Sequence, residues 1–102
     1  YRKLVDRLKS RLADATDRAL RMLERAGLQP DGEPKGGPFV WARAPGIADT
    51  AELARHAARN NIVLAPGNVF RPQSQPSNHL RFNVGFCADP RLERFLGATL
   101  RT

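Results

Sequence analysis

Cysteine is almost missing from this chain: Cys87 is the only one among 102 residues. One thiol excludes an internal disulfide and suits a reducing compartment, so a cytoplasmic location is expected. Long hydrophobic runs are missing too. No stretch approaches the roughly 18 apolar residues of a membrane span, so no membrane partner is expected. The first residues are polar and basic and lack the apolar centre of a signal peptide. There is no initiator methionine, and the chain reads as a piece of a longer protein, with residues 1–102 forming one domain.

The spacings that carry common chemistries are also absent. His56, His79 and Cys87 fit neither C-x2-C nor H-x3-H, so no metal site is expected. Cys87 has no evident base, and no glycine-rich elbow surrounds Ser10, Ser74 or Ser77. "KGGP" has the glycines of a phosphate loop but no helix start after it.

What is present is the composition of an ordinary globular domain, 41% hydrophobic and 26% charged. A net charge of +7 and a pI near 11.0 admit a nucleic-acid or anionic-lipid partner. They equally describe arginines scattered over solvated helix faces.

Hydrophobic periodicity predicts a long first helix over 1–26, with Leu4, Val5, Leu8, Leu12, Ala15, Ala19 and Leu23 on one stripe. Gly27 closes this leading 1–27 segment as a C-terminal cap. A stripe that long suggests a helix lying along more than this chain's own sheet. Residues 28–38 are dense in Gly and Pro and read as a loop. "FVWAR" (39–43) reads as a strand. Asp49 offers an N-cap, with Glu52 three residues on, to a helix over 50–60 that Asn60-Asn61 ends. "IVLAPG" (62–67) reads as a short apolar strand, and the order strand–helix–strand suits a parallel crossover. The polar, Pro-rich stretch 71–78 reads as an exposed loop. "HLRFNVGF" (79–86) alternates as a strand, and Asp89-Pro90 opens a last helix carrying Leu92, Phe95, Leu96 and Leu100.

The expected fold is α+β, of α/β-sandwich type: a small three-stranded mixed sheet covered by helices on one face, in the order α-β-α-β-β-α. In the last strand Leu80, Phe82, Val84 and Phe86 would face the core, and Arg81, Asn83 and Gly85 the open side. Exposing Phe82 and Phe86 as an RNA-stacking platform would bury Arg81 unpaired, which argues against that use. Physics alone leaves Arg81 two readings. It is a solvated strand residue, or its rigid fork takes a carboxylate through two parallel hydrogen bonds, with Asn83 beside it.

"GGPFVWARAPG", then a helix, "NNIVLAPGNVF", a polar loop, "LRFNVGF" and a closing helix together resemble the C-terminal small domain of fold-type I pyridoxal-phosphate (PLP) aminotransferases. "FNVGFCADPRLERFL" is most similar to the aminotransferase-like part of MocR-type regulators of the GntR family. The resemblance spans roughly residues 36 to 100. It implies that Arg81 binds the α-carboxylate of an amino acid, with Asn83, Pro66, Gly67 and Phe70 near the same cleft. Gly36 and Gly37 match the glycines leading into the first strand and are read as structural. The PLP-binding lysine would belong to a large domain of the same chain, since Lys3, Lys9 and Lys35 sit in no matching motif. The 102-residue chain is therefore expected to hold no PLP and catalyse nothing alone. The resemblance further implies DNA binding through an N-terminal winged helix of the parent, and a homodimer. Two other readings stay open: a stand-alone class I/II aminotransferase, and a basic module for nucleic acid or a protein partner.

Overall fold

The computed structural model describes residues 1–31 and 37–100. Lys35 and Gly36 lie outside the described residues.

Helix α1 runs from Arg2 to Arg25. Its apolar stripe divides in two. Ala19, Met22 and Leu23 are buried, while Leu4 and Leu8 are 55% and 56% exposed, beyond the reach of this chain's sheet. The helix ends as its glycine predicts. Gly27 adopts φ +100°, its N–H donates to the Glu24 carbonyl at 3.1 Å, and the Leu28 N–H donates to the Leu23 carbonyl at 2.9 Å. That pair of bonds is a Schellman stop.

Strand β1 (Gln29–Pro30) follows, within the stretch expected to be loop, and pairs with β2 (Phe39–Arg43). Helix α2 covers Thr50–Arg59. Asp49 caps it, its Oδ1 accepting from the Ala51 N–H at 3.0 Å. Its far end repeats the Schellman pattern with Asn61 at φ 61° in the left-handed position. The Asn61 N–H donates to Ala58 and the Ile62 N–H to Ala57.

The predicted strand 62–67 contracts to β3 (Ala65–Pro66), and the strand predicted over 79–86 to β4 (His79–Asn83). The sheet order is β1-β2-β4-β3 with every pairing antiparallel. The expected three-stranded mixed sheet is thus a four-stranded antiparallel one. The crossover reading survives in part. Strands β2 and β3 both run antiparallel to β4, so they are parallel to each other, but β4 is inserted between them.

Phe86 is a further correction. It is 74% exposed, although Leu80, Phe82 and Val84 are buried as expected. The strand stops because Asn83 Oδ1 accepts from the Gly85 N–H at 2.8 Å, a local bond that competes with the ladder. The chain then enters a 3-10 turn at Phe86–Ala88, and the alternation breaks. Helix α3 (Pro90–Leu100) opens on Asp89, whose Oδ1 accepts from the Arg91 N–H at 2.9 Å.

One core joins the three helices to one sheet face. Val40, Ala42, Leu80 and Phe82 pack with Leu23 of α1, Leu53 and Ala57 of α2, and Leu92 and Leu96 of α3. Burying each such Leu or Phe is worth about 1.5–3 kcal/mol. Thr50 ties α2 to β4: its hydroxyl lies 2.8 Å from the His79 carbonyl and 3.0 Å from the Ser77 carbonyl. The loop 71–78 is exposed through Pro76, but Ser77 is buried, and its Oγ accepts from the His79 N–H.

Candidate functional site: the arginine on the open sheet face

With helices on one face, the other face of the sheet is left to whatever side chains the register aligns there. Pairing sets Phe39 opposite Asn83, Trp41 opposite Arg81, and Arg43 opposite His79. All six lie on the side away from Val40, Ala42, Leu80 and Phe82, because side chains alternate along a strand. This is the face on which the sequence places Arg81 and Asn83.

Arg81 sits at its middle, partly buried. Its guanidinium carbon lies 4.2 Å from the centre of the Phe39 ring and 4.5 Å from that of Phe70. Both are stacking distances for a cation over an aromatic face. Phe70 in turn meets Trp41 edge to face, with ring centres 5.3 Å apart. Among the described residues the Arg81 guanidinium has no hydrogen-bond acceptor and no ion-pair partner.

The other polar groups of this face are engaged. Arg43 donates to Gln29 Oε1. His79 Nε2 lies 3.1 Å from Asp31 Oδ2. Asn83 faces the same side as Arg81, but its Oδ1 is occupied by the Gly85 amide. A hollow of about 210 Å3 is lined by Phe39, Arg81 and Asn83 of the open face together with Phe82 and Leu92 of the helix side, so it reaches past the sheet and is not a depression of the open face alone.

Pro66, Gly67 and Phe70 occupy one turn. Pro66 pairs with Leu80 at the end of β3, and Gly67–Phe70 forms a 3-10 turn directly after it. Gly67 is buried against β4, where a Cβ would meet Ser77 Oγ at 2.5 Å and the His79 carbonyl oxygen at 2.9 Å. This close approach, not a special backbone angle, requires glycine. Of the five expected site residues, Arg81 and Phe70 are in contact, Asn83 lies on the same face, and Pro66 and Gly67 lie in the turn that carries Phe70. Gly37 has open space around its Cβ position.

Two members of the site, Phe39 and Trp41, are not singled out by sequence reasoning. The alternation of "FVWAR" carries the signal: Phe39, Trp41 and Arg43 fall on one side, and the small residues Val40 and Ala42 fill the core. The open face therefore does hold rings beside its arginine, contributed by β2 and the 3-10 turn and not by β4. Among the described residues no three His, Cys, Asp or Glu side chains gather as metal ligands, and no helix is long and apolar enough to cross a membrane.

This architecture is a small antiparallel sheet with helices on one face and an arginine on the other, and it is found in solved aminotransferases. It is similar to the α-aminoadipate aminotransferase LysN of Thermus thermophilus, solved with N-(5'-phosphopyridoxyl)-L-leucine, at 27% identity and a TM-score of 0.63. It is also similar to the multiple substrate aminotransferase of Thermococcus profundus, at 26% identity and a TM-score of 0.59. The matches cover 86% and 87% of this chain but only 24% and 22% of those chains. The chain therefore spans less than a quarter of the enzymes it is similar to. No protein-family model and no curated protein matches it.

Proposed function

We propose that this chain is the small domain of a PLP-dependent, aminotransferase-like protein, and that Arg81 docks the α-carboxylate of an amino-acid ligand. The observation that carries the reading is the unpartnered Arg81 guanidinium, held among aromatic rings on the helix-free sheet face. A planar cation with its N–H edges available matches a carboxylate bidentately. The rigid strand β4 fixes its position better than a loop would.

The donor set fits the substrate end of such a site and not the cofactor. One guanidinium, one amide and three rings suit a carboxylate on an apolar skeleton. Lys3 and Lys9 stand on exposed turns of α1, not on this face. PLP would accordingly be held by the remainder of the parent protein. When bound there, it supplies the electron sink that acidifies the Cα–H bond of an amino acid. The work of this chain is to bind and orient: Arg81 fixes the carboxylate, and the rings beside it exclude water on one side. The exposed Leu4–Leu8 stretch of α1 is where the chain would continue its packing against the large domain.

The similarity of "FNVGFCADPRLERFL" to MocR-type regulators supports a parent that also carries a DNA-binding winged helix and uses the amino acid as effector. The likeness to two aminotransferases supports a stand-alone enzyme instead. DNA binding by the intact protein that responds to an amino acid separates the two. A second class of reading, a nucleic-acid module, draws on the rings and basic groups of the open face. It requires tight, strongly salt-dependent binding of DNA or RNA by the 102-residue chain.

The test is a titration of the full-length protein followed through the visible absorbance of its bound cofactor. Amino acids should shift that band, and Arg81→Ala should need far higher concentrations to do so. A full-length protein without the band, or an Arg81→Ala variant that titrates like wild type, refutes the proposal.

A further inference from the structure

We infer that Phe39 and Phe70 are positioning residues for Arg81, clamping its guanidinium by cation–π contact so that it stays fixed while its N–H donors remain free for the incoming carboxylate. The inference rests on the carboxylate reading above and adds what holds the anchor in place. Arginine is a long side chain, and immobilising such a chain at the moment of binding weakens affinity by a factor of about two to twelve. Hydrogen bonds from neighbouring acceptors would also hold it, but an acceptor on the outward pair of N–H groups would compete with the ligand for them. Stacking avoids that conflict. Rings centred 4.2 Å and 4.5 Å from the guanidinium carbon restrain the cation without accepting any of its hydrogen bonds.

The two rings come from separate segments, β2 and the turn Gly67–Phe70, and each is only partly covered, at 42% and 47% exposure. Trp41 meets Phe70 edge-on from the neighbouring position of β2, so the clamp has its own support. The other arginine paired across these strands, Arg43, is held by Gln29 and is not clamped in this way. The structure thus sets two aromatic side chains against one cation while leaving it without an acceptor among the described residues.

The experiment uses the full-length protein and the cofactor absorbance. The twenty L-amino acids are titrated first, and the strongest responder is compared with the amine that lacks only its carboxylate. Wild type, Arg81→Ala, Phe39→Leu, Phe70→Leu, the double leucine variant and Phe70→Trp are measured in parallel. Each leucine variant should weaken the amino acid about two- to twelvefold more than it weakens the amine, and the double variant further. Phe70→Trp, which retains a stacking face, should stay near wild type. A merely structural role would weaken amino acid and amine together, and that result overturns the inference. Leucine variants that bind the amino acid like wild type overturn it too. If Arg81→Ala discriminates amino acid from amine but the leucine variants do not, the clamp alone fails. If Arg81→Ala does not discriminate, or no amino acid shifts the wild-type band, the carboxylate reading fails and the clamp with it.

Discussion

Replacing Gly67 with alanine should destabilise the chain severely for the sake of one methyl group. The new Cβ would lie 2.5 Å from Ser77 Oγ and 2.9 Å from the His79 carbonyl oxygen, both far inside van der Waals contact. Neither neighbour can retreat alone. Ser77 is buried, and its Oγ accepts from the His79 N–H at 3.1 Å. The His79 carbonyl lies 2.8 Å from the fully buried Thr50 hydroxyl, at the first residue of β4. Relief therefore means moving the Pro66-Gly67 turn away from β4 or stretching the Thr50 bridge. Overpacking of this kind costs about 1–3 kcal/mol, and a weakened buried hydrogen bond adds about 1 kcal/mol. A total near 3 kcal/mol corresponds to a fall in Tm of roughly 10–20 °C for a domain this size. Urea and thermal unfolding followed by circular dichroism measure it. Ser77→Gly removes the Oγ and Cβ contacts but leaves the carbonyl, and it also costs the His79 N–H its acceptor, so Gly67→Ala should cost less in a Ser77→Gly background than in wild type, though still something. If Gly67→Ala unfolds within about 0.5 kcal/mol of wild type, the close approach is not a real constraint.

Asn61 sits at φ 61°, so Asn61→Val should cost about 1–2 kcal/mol in urea unfolding, whereas Asn61→Gly should change stability little. The Asp89 carboxyl is held below its usual range chiefly by its hydrogen bonds from the Arg91 side chain. A carboxylate depressed in the folded state stabilises above its unfolded pKa and loses that contribution as pH falls through the folded value. The stability gap between wild type and Asp89→Asn should therefore be present near neutral pH and close in strong acid, read as urea midpoints against pH. Burial pushes the Cys87 thiol up to about 11. Its labelling by a thiol reagent in mildly alkaline buffer should be far slower in the folded chain than in urea, and equal rates would contradict that burial.

Where local chemistry decides the structure, the sequence could be read directly. Gly27, Asp49, Asn61 and Asp89 each mark a helix end within a residue or two, because caps depend on one side chain and the amides beside it. The burial of Leu80, Phe82 and Val84 opposite Arg81 follows from the period of a strand. Phe86 could not be read that way. Its period points inward, but the Asn83–Gly85 bond ends the strand first, and alternation carries no information about where pairing stops. Strand β1 was hidden for a related reason. Two residues containing a proline make no pattern, and they become a strand only because β2 lies alongside. The parallel reading of the crossover was a matter of strand order, which no local signal fixes: β4, later in the chain than β2 and β3, lies between them.

The site shows the same division more sharply. Arg81 and Phe70 belong to separate sequence blocks, and nothing in either block says that they touch. Their contact depends on three constraints acting in series. Gly67 permits the turn to lie against the start of β4, Pro66 fixes the turn's exit from β3, and the 3-10 turn then carries Phe70 around to the open face. Each constraint is visible as a residue type, but their sum is a placement in space. Trp41 and Phe39 enter only through the register of β2 against β4, which sets Trp41 directly beside Arg81. A one-residue slip would turn every ring of β2 into the core and leave Val40 and Ala42 in their place. The burial of Val40 and Ala42 against the helices therefore fixes the aromatic surroundings of the arginine: the small residues that fill the core are what force the large ones out beside Arg81.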